Sequence, residues 1–150
     1  MFSHLIINVN ELYTDTLAHK RKRIIMTTTD LSLEKIYNLA IKTLKHNGCD
    51  ELNAEAVANT VTNAERDGSV SHGLFRIPGY VAALKSKKVK GNARPTNNFL
   101  TQNAIRVEGD YGFAPTAIGV GIPALVDVTK KHGVGVLTIT NTHHFAALWH

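Results

Sequence analysis

Ala104-Ile105-Arg106-Val107-Glu108-Gly109-Asp110-Tyr111-Gly112 is the stretch that decides the architecture of this 150-residue chain. Apolar and polar residues alternate over its first five positions, the period of a strand with one buried face, and the glycine-flanked run after them turns the chain. Downstream, Ala117, Ile118, Gly121, Ala124, Leu125 and Val128 recur at helical spacing until His132-Gly133, a helix with its stop signal. Residues 134–140 then read as a buried strand. Strand, helix, strand is the beginning of an α/β layer. The fold class is therefore mixed α/β.

Upstream of that layer the pattern is helical. Residues 86–103 carry Lys, Asn and Gly without periodicity and are interrupted by Pro95, which predicts a surface loop with solvated charge. Before them, Ser69, Ser71, His72 and Arg76 lead into a helix with Pro78 in its first turn, where a missing N–H costs nothing. Such a lead-in would present unpaired backbone N–H groups and a positive dipole end, suited to an anionic group. Two further helices follow from Leu33, Ile36, Ala40 and Leu44, with Ser32 as N-cap and Gly48 beyond the end, and from Ala54, Val57, Ala58, Val61 and Ala64, with Asn53 before and Asp67-Gly68 after. Core burial accounts for both stripes, and the two should pack as a pair. Met26 looks like a more natural beginning than Met1, since regular periodicity starts only after it. The expected division is an extension over 1–25 without assigned function, a helical region over 26–100, and an incomplete α/β domain over 101–150.

Composition excludes more than it assigns. The formal charge of +5 is split unevenly: Lys20, Arg21, Lys22 and Arg23 less Glu11 and Asp15 leave +2 in residues 1–25 and +3 elsewhere. No basic face with aromatic partners emerges, so no nucleic-acid partner is expected and the Lys-Arg run reads as a solvated tail. Cys49 stands alone, which rules out an internal disulfide and suits a reducing compartment. Nothing near it would activate a thiolate, so it reads as a structural thiol. Leu5-Ile6-Ile7 is too short for a membrane span or a secretory core. A cytoplasmic location without membrane contact is expected.

Two clusters could carry chemistry. His72 and Arg76, four residues apart, would share a face if the local chain were helical. Histidine can deliver a proton near neutrality, and arginine grips a planar carboxylate through two parallel hydrogen bonds. A 2-oxo or 2-imino acid needs both. On spacing alone, however, such a pair more often caps, pairs or faces water. The second cluster, Asn141-Thr142-His143-His144-Phe145-Ala146-Ala147-Leu148-Trp149, follows a strand, the position where α/β sheets tend to bind ligands. Adjacent histidines in extended chain point oppositely, and no Cys, Asp or Glu stands at ligand spacing, so no metal site is expected. Gly119-Val120-Gly121 and Gly133-Val134-Gly135 are not strand-to-helix turns with a third glycine, which excludes a dinucleotide fingerprint.

Glu65-Arg66-Asp67-Gly68-Ser69-Val70-Ser71-His72-Gly73-Leu74-Phe75-Arg76-Ile77-Pro78-Gly79-Tyr80 resembles the signature of the malate/L-lactate dehydrogenase type 2 family of NAD(P)H-dependent oxidoreductases. Residues 132–136 and 142–149 supply a second match in register. The resemblance runs from about Leu33 to the end and implies a non-Rossmann NAD(P)-binding α/β fold, here truncated, since family members run to more than twice this length. Where malate and lactate members tend to carry His-Phe-Gly-Ala-Ala-Gly, this chain has His144-Phe145-Ala146-Ala147-Leu148-Trp149. That variant is similar to the Δ1-piperideine-2-carboxylate/Δ1-pyrroline-2-carboxylate reductase branch. The resemblance implies NADPH, with NADH open, and a cyclic imino acid or 2-oxo acid as substrate. Ser71 and His72 would form the proton relay, Arg76 would hold the substrate carboxylate, and His144, Phe145, Ala146, Ala147 and Leu148 would line the cofactor site. The family's relay is completed by an Asp beyond the matching segment, and its members form homodimers. A 2-hydroxy-acid dehydrogenase of the same family, or a non-catalytic fragment acting at most through association, are the alternatives. An unpaired sheet edge and exposed core are expected.

Overall fold

A computed structural model describes residues 3–6 and 28–143. Strand β1 (Ser3–Ile6) pairs antiparallel with β2 (Thr28–Leu31), which leads into two helices packed on each other, α1 (Leu33–His46) and α2 (Glu51–Arg66). Ser32 caps α1 as expected, its Oγ accepting from the Lys35 N–H at 3.3 Å. The cap of α2 lies further upstream than the sequence suggested. Asp50, not Asn53, accepts the free amide, from the Asn53 N–H at 3.1 Å, so the helix begins at Glu51 and Asn53 falls inside it.

The stripes of α1 and α2 face each other. Ile36, Ala40, Leu44, Ala54, Val57, Ala58 and Val61 are buried together with Leu74, Ile77, Tyr80, Leu84 and Phe113 in one core. Each fully buried Leu, Ile or Val in it contributes roughly 1.5–3 kcal/mol relative to exposure. Cys49 belongs to this core, and burial, then the Asp50 charge, push its thiol up to about 11. Since thiolate is the reactive species, the native protein should resist a thiol reagent at pH 8 and react fully once denatured. Ellman titration with and without guanidinium checks this, and fast native labelling would contradict the buried placement.

After α3 (Ile77–Lys85), the chain enters a three-stranded sheet ordered β3 (Thr96–Phe99), β4 (Ala104–Glu108), β5 (Val136–Thr140). Strand β3 lies where a loop was expected. Its four residues are all exposed, so no alternation marks them, and the strand exists through antiparallel pairing with β4 from Thr96↔Glu108 to Phe99↔Ile105. Strands β4 and β5 run parallel, joined by α4 (Ala114–His132), the expected strand-helix-strand unit. Helix α4 ends at Gly133, whose φ of 79° is the left-handed stop that glycine adopts at least cost.

The helix sits close on the sheet because Gly121 has no side chain: a Cβ there would lie 2.8 Å from Val107 Cγ2 and 3.0 Å from Leu137 Cδ2. The first Gly-x-Gly thus serves packing. Strand β5 differs from the buried strand expected. Leu137 and Ile139 point toward α4 and are half-buried, whereas Val136, Thr138 and Thr140 are exposed on the face α4 does not cover. As the last strand in the order, β5 has no partner on its outer edge among the described residues.

Asn53 joins the two halves. Its side chain is fully buried, donating to Asp50 Oδ1 (2.8 Å) and the Ala93 carbonyl (3.1 Å) and accepting from Thr116 Oγ1 (2.9 Å). Arg94 Nη1 stands 2.6 Å from Asp50 Oδ2. Burial raises the Asp50 carboxyl, but the Asn53 hydrogen bonds and the Arg94 guanidinium outweigh it and hold the group below its usual range.

Candidate active site

Asp67 and Gly68 (φ 72°) end α2, and the chain then makes two short 3-10 turns, Val70–His72 and Leu74–Arg76, on either side of Gly73. The segment is not one helix, so His72 and Arg76 do not meet by helical spacing. They are joined instead through Ser71. His72 Nδ1 lies 3.0 Å from Ser71 Oγ and 3.3 Å from Ser69 Oγ, while Arg76 Nε donates to the Ser71 carbonyl at 2.8 Å. The imidazole and guanidinium are both half-buried. Arg76 makes no ion pair among the described residues, so its terminal nitrogens have no carboxylate of their own there.

Several of the lead-in amides expected to be unpaired are already taken. The N–H groups of His72, Gly73, Arg76 and Ile77 donate to the carbonyls of Ser69, Val70, Gly73 and Leu74, because 3-10 turns close their bonds within three residues. The Leu74 N–H donates to Glu65 Oε1 at 2.7 Å. Glu65 is the contact that sequence reasoning passed over: it lies on the buried stripe of α2, 1% exposed, where a core residue was the natural reading. Ser69 was visible in the sequence, but its approach to His72 was not.

The second motif meets the first through aromatic contacts. Helix α3 starts beside Arg76 and carries Tyr80, 3% exposed, whose ring is edge-on to Phe113 at 5.1 Å; Phe113 is edge-on to His143 at 6.3 Å. Burial raises the Tyr80 phenol, opposed by the nearby Arg76 charge. Phe113 and His143 also bridge as parallel strands, with the His143 N–H donating to the Gly112 carbonyl at 2.8 Å. At these carboxyl ends of β4 and β5, Asp110, Tyr111 and Asn141 have φ of 49°, 55° and 52°. Non-glycine residues hold such angles at a cost of order 1–3 kcal/mol each, and they cluster at functional sites. Asp110 is fixed by Lys90 and by the Arg94 N–H, which hold its carboxyl below the usual range. Glu108 Oε2 accepts from Thr140 Oγ1 (3.2 Å) and Asn141 Nδ2 (3.0 Å).

Ser71, His72 and Arg76 are thus brought together, whereas His144, Phe145, Ala146, Ala147 and Leu148 lie outside the described residues. An open groove of about 760 Å³, lined by Phe99, Asp127, Val128, Lys131 and His132 among others, lies toward the far end of α4 and includes none of these residues. No helix of the described residues is long and apolar enough to cross a membrane.

The geometry can be set against known proteins. The malate/L-lactate dehydrogenase family matches residues 31–150, both motifs included. The chain belongs to the malate/L-lactate dehydrogenase family. Members of this family are oxidoreductases that act on small acids with a nicotinamide cofactor. A Δ1-pyrroline-2-carboxylate reductase of Ancylobacter novellus is 41% identical over 119 residues, 79% of this chain and 35% of that protein. A Δ1-pyrroline-2-carboxylate/Δ1-piperideine-2-carboxylate reductase of Pseudomonas putida is 37% identical over 82% of this chain and 36% of its own length. The chain thus spans about a third of the length of these curated relatives. In structure it matches a Δ1-piperideine-2-carboxylate reductase from Pseudomonas syringae pv. tomato with TM-score 0.76 and 37% identity, over 79% of this chain and 36% of that one. Malate dehydrogenase from Entamoeba histolytica follows at TM-score 0.73 and 27% identity, over 79% and 33%. The family fold read from the two motifs is borne out over the part of these relatives that the chain spans.

Proposed function

We propose that this chain carries the substrate-side part of an NADPH-dependent reductase of cyclic imino acids, converting Δ1-piperideine-2-carboxylate to L-pipecolate and Δ1-pyrroline-2-carboxylate to L-proline. The observation that supports it best is the single frame built on Ser71: its hydroxyl lies against His72 Nδ1 and its carbonyl anchors Arg76 Nε. A proton donor and a carboxylate clamp are therefore held at fixed separation, which is what an α-imino acid requires.

In this reading the terminal nitrogens of Arg76 grip the substrate carboxylate and set the face of the C=N bond. With Nδ1 held by the serine hydroxyls, His72 acts through Nε2 and manages the proton on the ring nitrogen as it becomes an amine. A bound reduced nicotinamide supplies the hydride that reaches C2. His144, Phe145, Ala146, Ala147 and Leu148 would line its site. The described strand ends fit such a group in chemistry: Thr140, Asn141 and Thr142 are uncharged and hydrogen-bonding, and the Glu108 carboxylate can accept further hydroxyl donors. A cytoplasmic homodimer is the matching assembly.

A 2-hydroxy-acid dehydrogenase activity is the second reading, favoured by the likeness to the Entamoeba enzyme, because the same acid and clamp would serve a keto acid. The higher identity to proteins named as imino-acid reductases favours the first. NADPH oxidation followed with Δ1-piperideine-2-carboxylate, pyruvate and oxaloacetate separates them; turnover with keto acids alone would overturn the imine assignment. In the same assay Arg76→Lys, which keeps the charge but not the planar fork, should raise KM roughly 10-fold or more with a smaller fall in kcat. An unchanged KM would remove Arg76 from substrate binding.

A further inference from the structure

Glu65 is the one acidic residue among the described residues whose side chain is wholly inside the protein, 1% exposed, and it points at the joint between His72 and Arg76. Its Oε1 accepts the Leu74 N–H at 2.7 Å, the length of a charge-assisted bond. The same carboxyl occupies the space a side chain at residue 73 would need: a Cβ on Gly73 would lie 2.0 Å from Oε1 and 2.4 Å from Cδ. Gly73 separates the turn that ends in His72 from the turn that ends in Arg76, with φ −84° and ψ −142°. Any rotation at Gly73 swings the imidazole relative to the guanidinium.

We propose that Glu65 is a positioning residue for the imino-acid site: from α2 it locks the Gly73 joint and so fixes the distance and angle between His72 and Arg76. A carboxylate in the core is costly unless its hydrogen bonds are made, and isolated stability would favour an apolar residue at this point of the stripe. Retaining the carboxylate there is accounted for by the joint it holds. The inference rests on the reductase reading for its consequence in catalysis, but the geometry it asserts can be observed without turnover.

The test uses the full chain labelled with 15N-histidine, comparing wild type, Glu65→Gln, Glu65→Ala and Gly73→Ala. Ring 15N signals of His72, assigned with His72→Ala, report the Nδ1 contacts, and titration with Δ1-piperideine-2-carboxylate reports the clamp. Glu65→Gln, which retains an acceptor oxygen, should keep the His72 ring signals of wild type. Glu65→Ala and Gly73→Ala should both move them, and each should weaken imino-acid binding at least 10-fold. If Glu65→Ala does not fold, Gly73→Ala and hydrogen exchange at the Leu74 amide of wild type carry the test, with strong protection expected. Wild-type His72 signals and affinity in folded Glu65→Ala or Gly73→Ala, with only a lower melting temperature, would reduce Glu65 to a packing residue and overturn the proposal. Absence of imino-acid binding by wild type would instead sink the reductase reading, with the His72 ring signals still deciding the role of Glu65.

Discussion

Replacing His72 by alanine should lower kcat for imino-acid reduction by roughly 10²- to 10⁴-fold, the range expected when a positioned general acid is removed. Because Arg76 is anchored to a backbone carbonyl, not to the imidazole, the carboxylate clamp should survive and KM should change little. His72 is half-buried outside the main core, so the variant should fold normally. Steady-state kinetics beside far-ultraviolet circular dichroism checks both halves of the expectation. Ser71→Ala and Ser69→Ala should each cost less than His72→Ala, since two hydroxyls share Nδ1 and either can orient the ring in the absence of the other. Turnover of His72→Ala at the wild-type rate would remove the imidazole from the reaction.

The second large effect is on stability. Asn53→Leu preserves approximate volume but leaves the Thr116 hydroxyl and the Ala93 carbonyl facing an apolar group in a fully buried place. Buried groups stripped of a partner cost about 1–3 kcal/mol each, so a loss of about 3 kcal/mol in unfolding free energy is expected. For a chain of this size that corresponds to a melting point lower by roughly 6–12 °C. Adding Thr116→Val should recover part of the loss, because removing both partners of a buried hydrogen bond is cheaper than removing one. Denaturant unfolding of the single and double variants measures the difference; a double variant less stable than Asn53→Leu by the full cost of Thr116→Val would show that the pair is uncoupled.

The readings that held were those resting on periodicity with a local stop signal. Ile36, Ala40 and Leu44 repeat every four residues behind a Ser32 cap, and both the stripe and the cap are made within one turn of chain. The α/β unit of β4, α4 and β5 was legible for the same reason. What failed depended on contacts distant in sequence. Asn53 was placed before the helix, not inside it, because two of its three side-chain partners, Ala93 and Thr116, are 40 and 63 residues away. Strand β3 has no apolar alternation, since its pairing with β4 is made by backbone groups while its side chains stay in solvent. The burial of β5 was misjudged because β-branched content marks a strand but not what covers it. At the site, Ser71, His72 and Arg76 were recognisable from their motif. The carboxylate behind them was not, because Glu65 occupies an ordinary core position of α2 and only the folded chain brings it to Gly73.

The most direct measurement of the central claim is isotope transfer. The protein is incubated with NADPH carrying deuterium at the transferable C4 position and with Δ1-piperideine-2-carboxylate, and the product is analysed by mass spectrometry. The account predicts L-pipecolate with one deuterium at C2, formed by wild type and lost in His72→Ala. Pipecolate without deuterium, or labelled product at equal yield from His72→Ala, would contradict it.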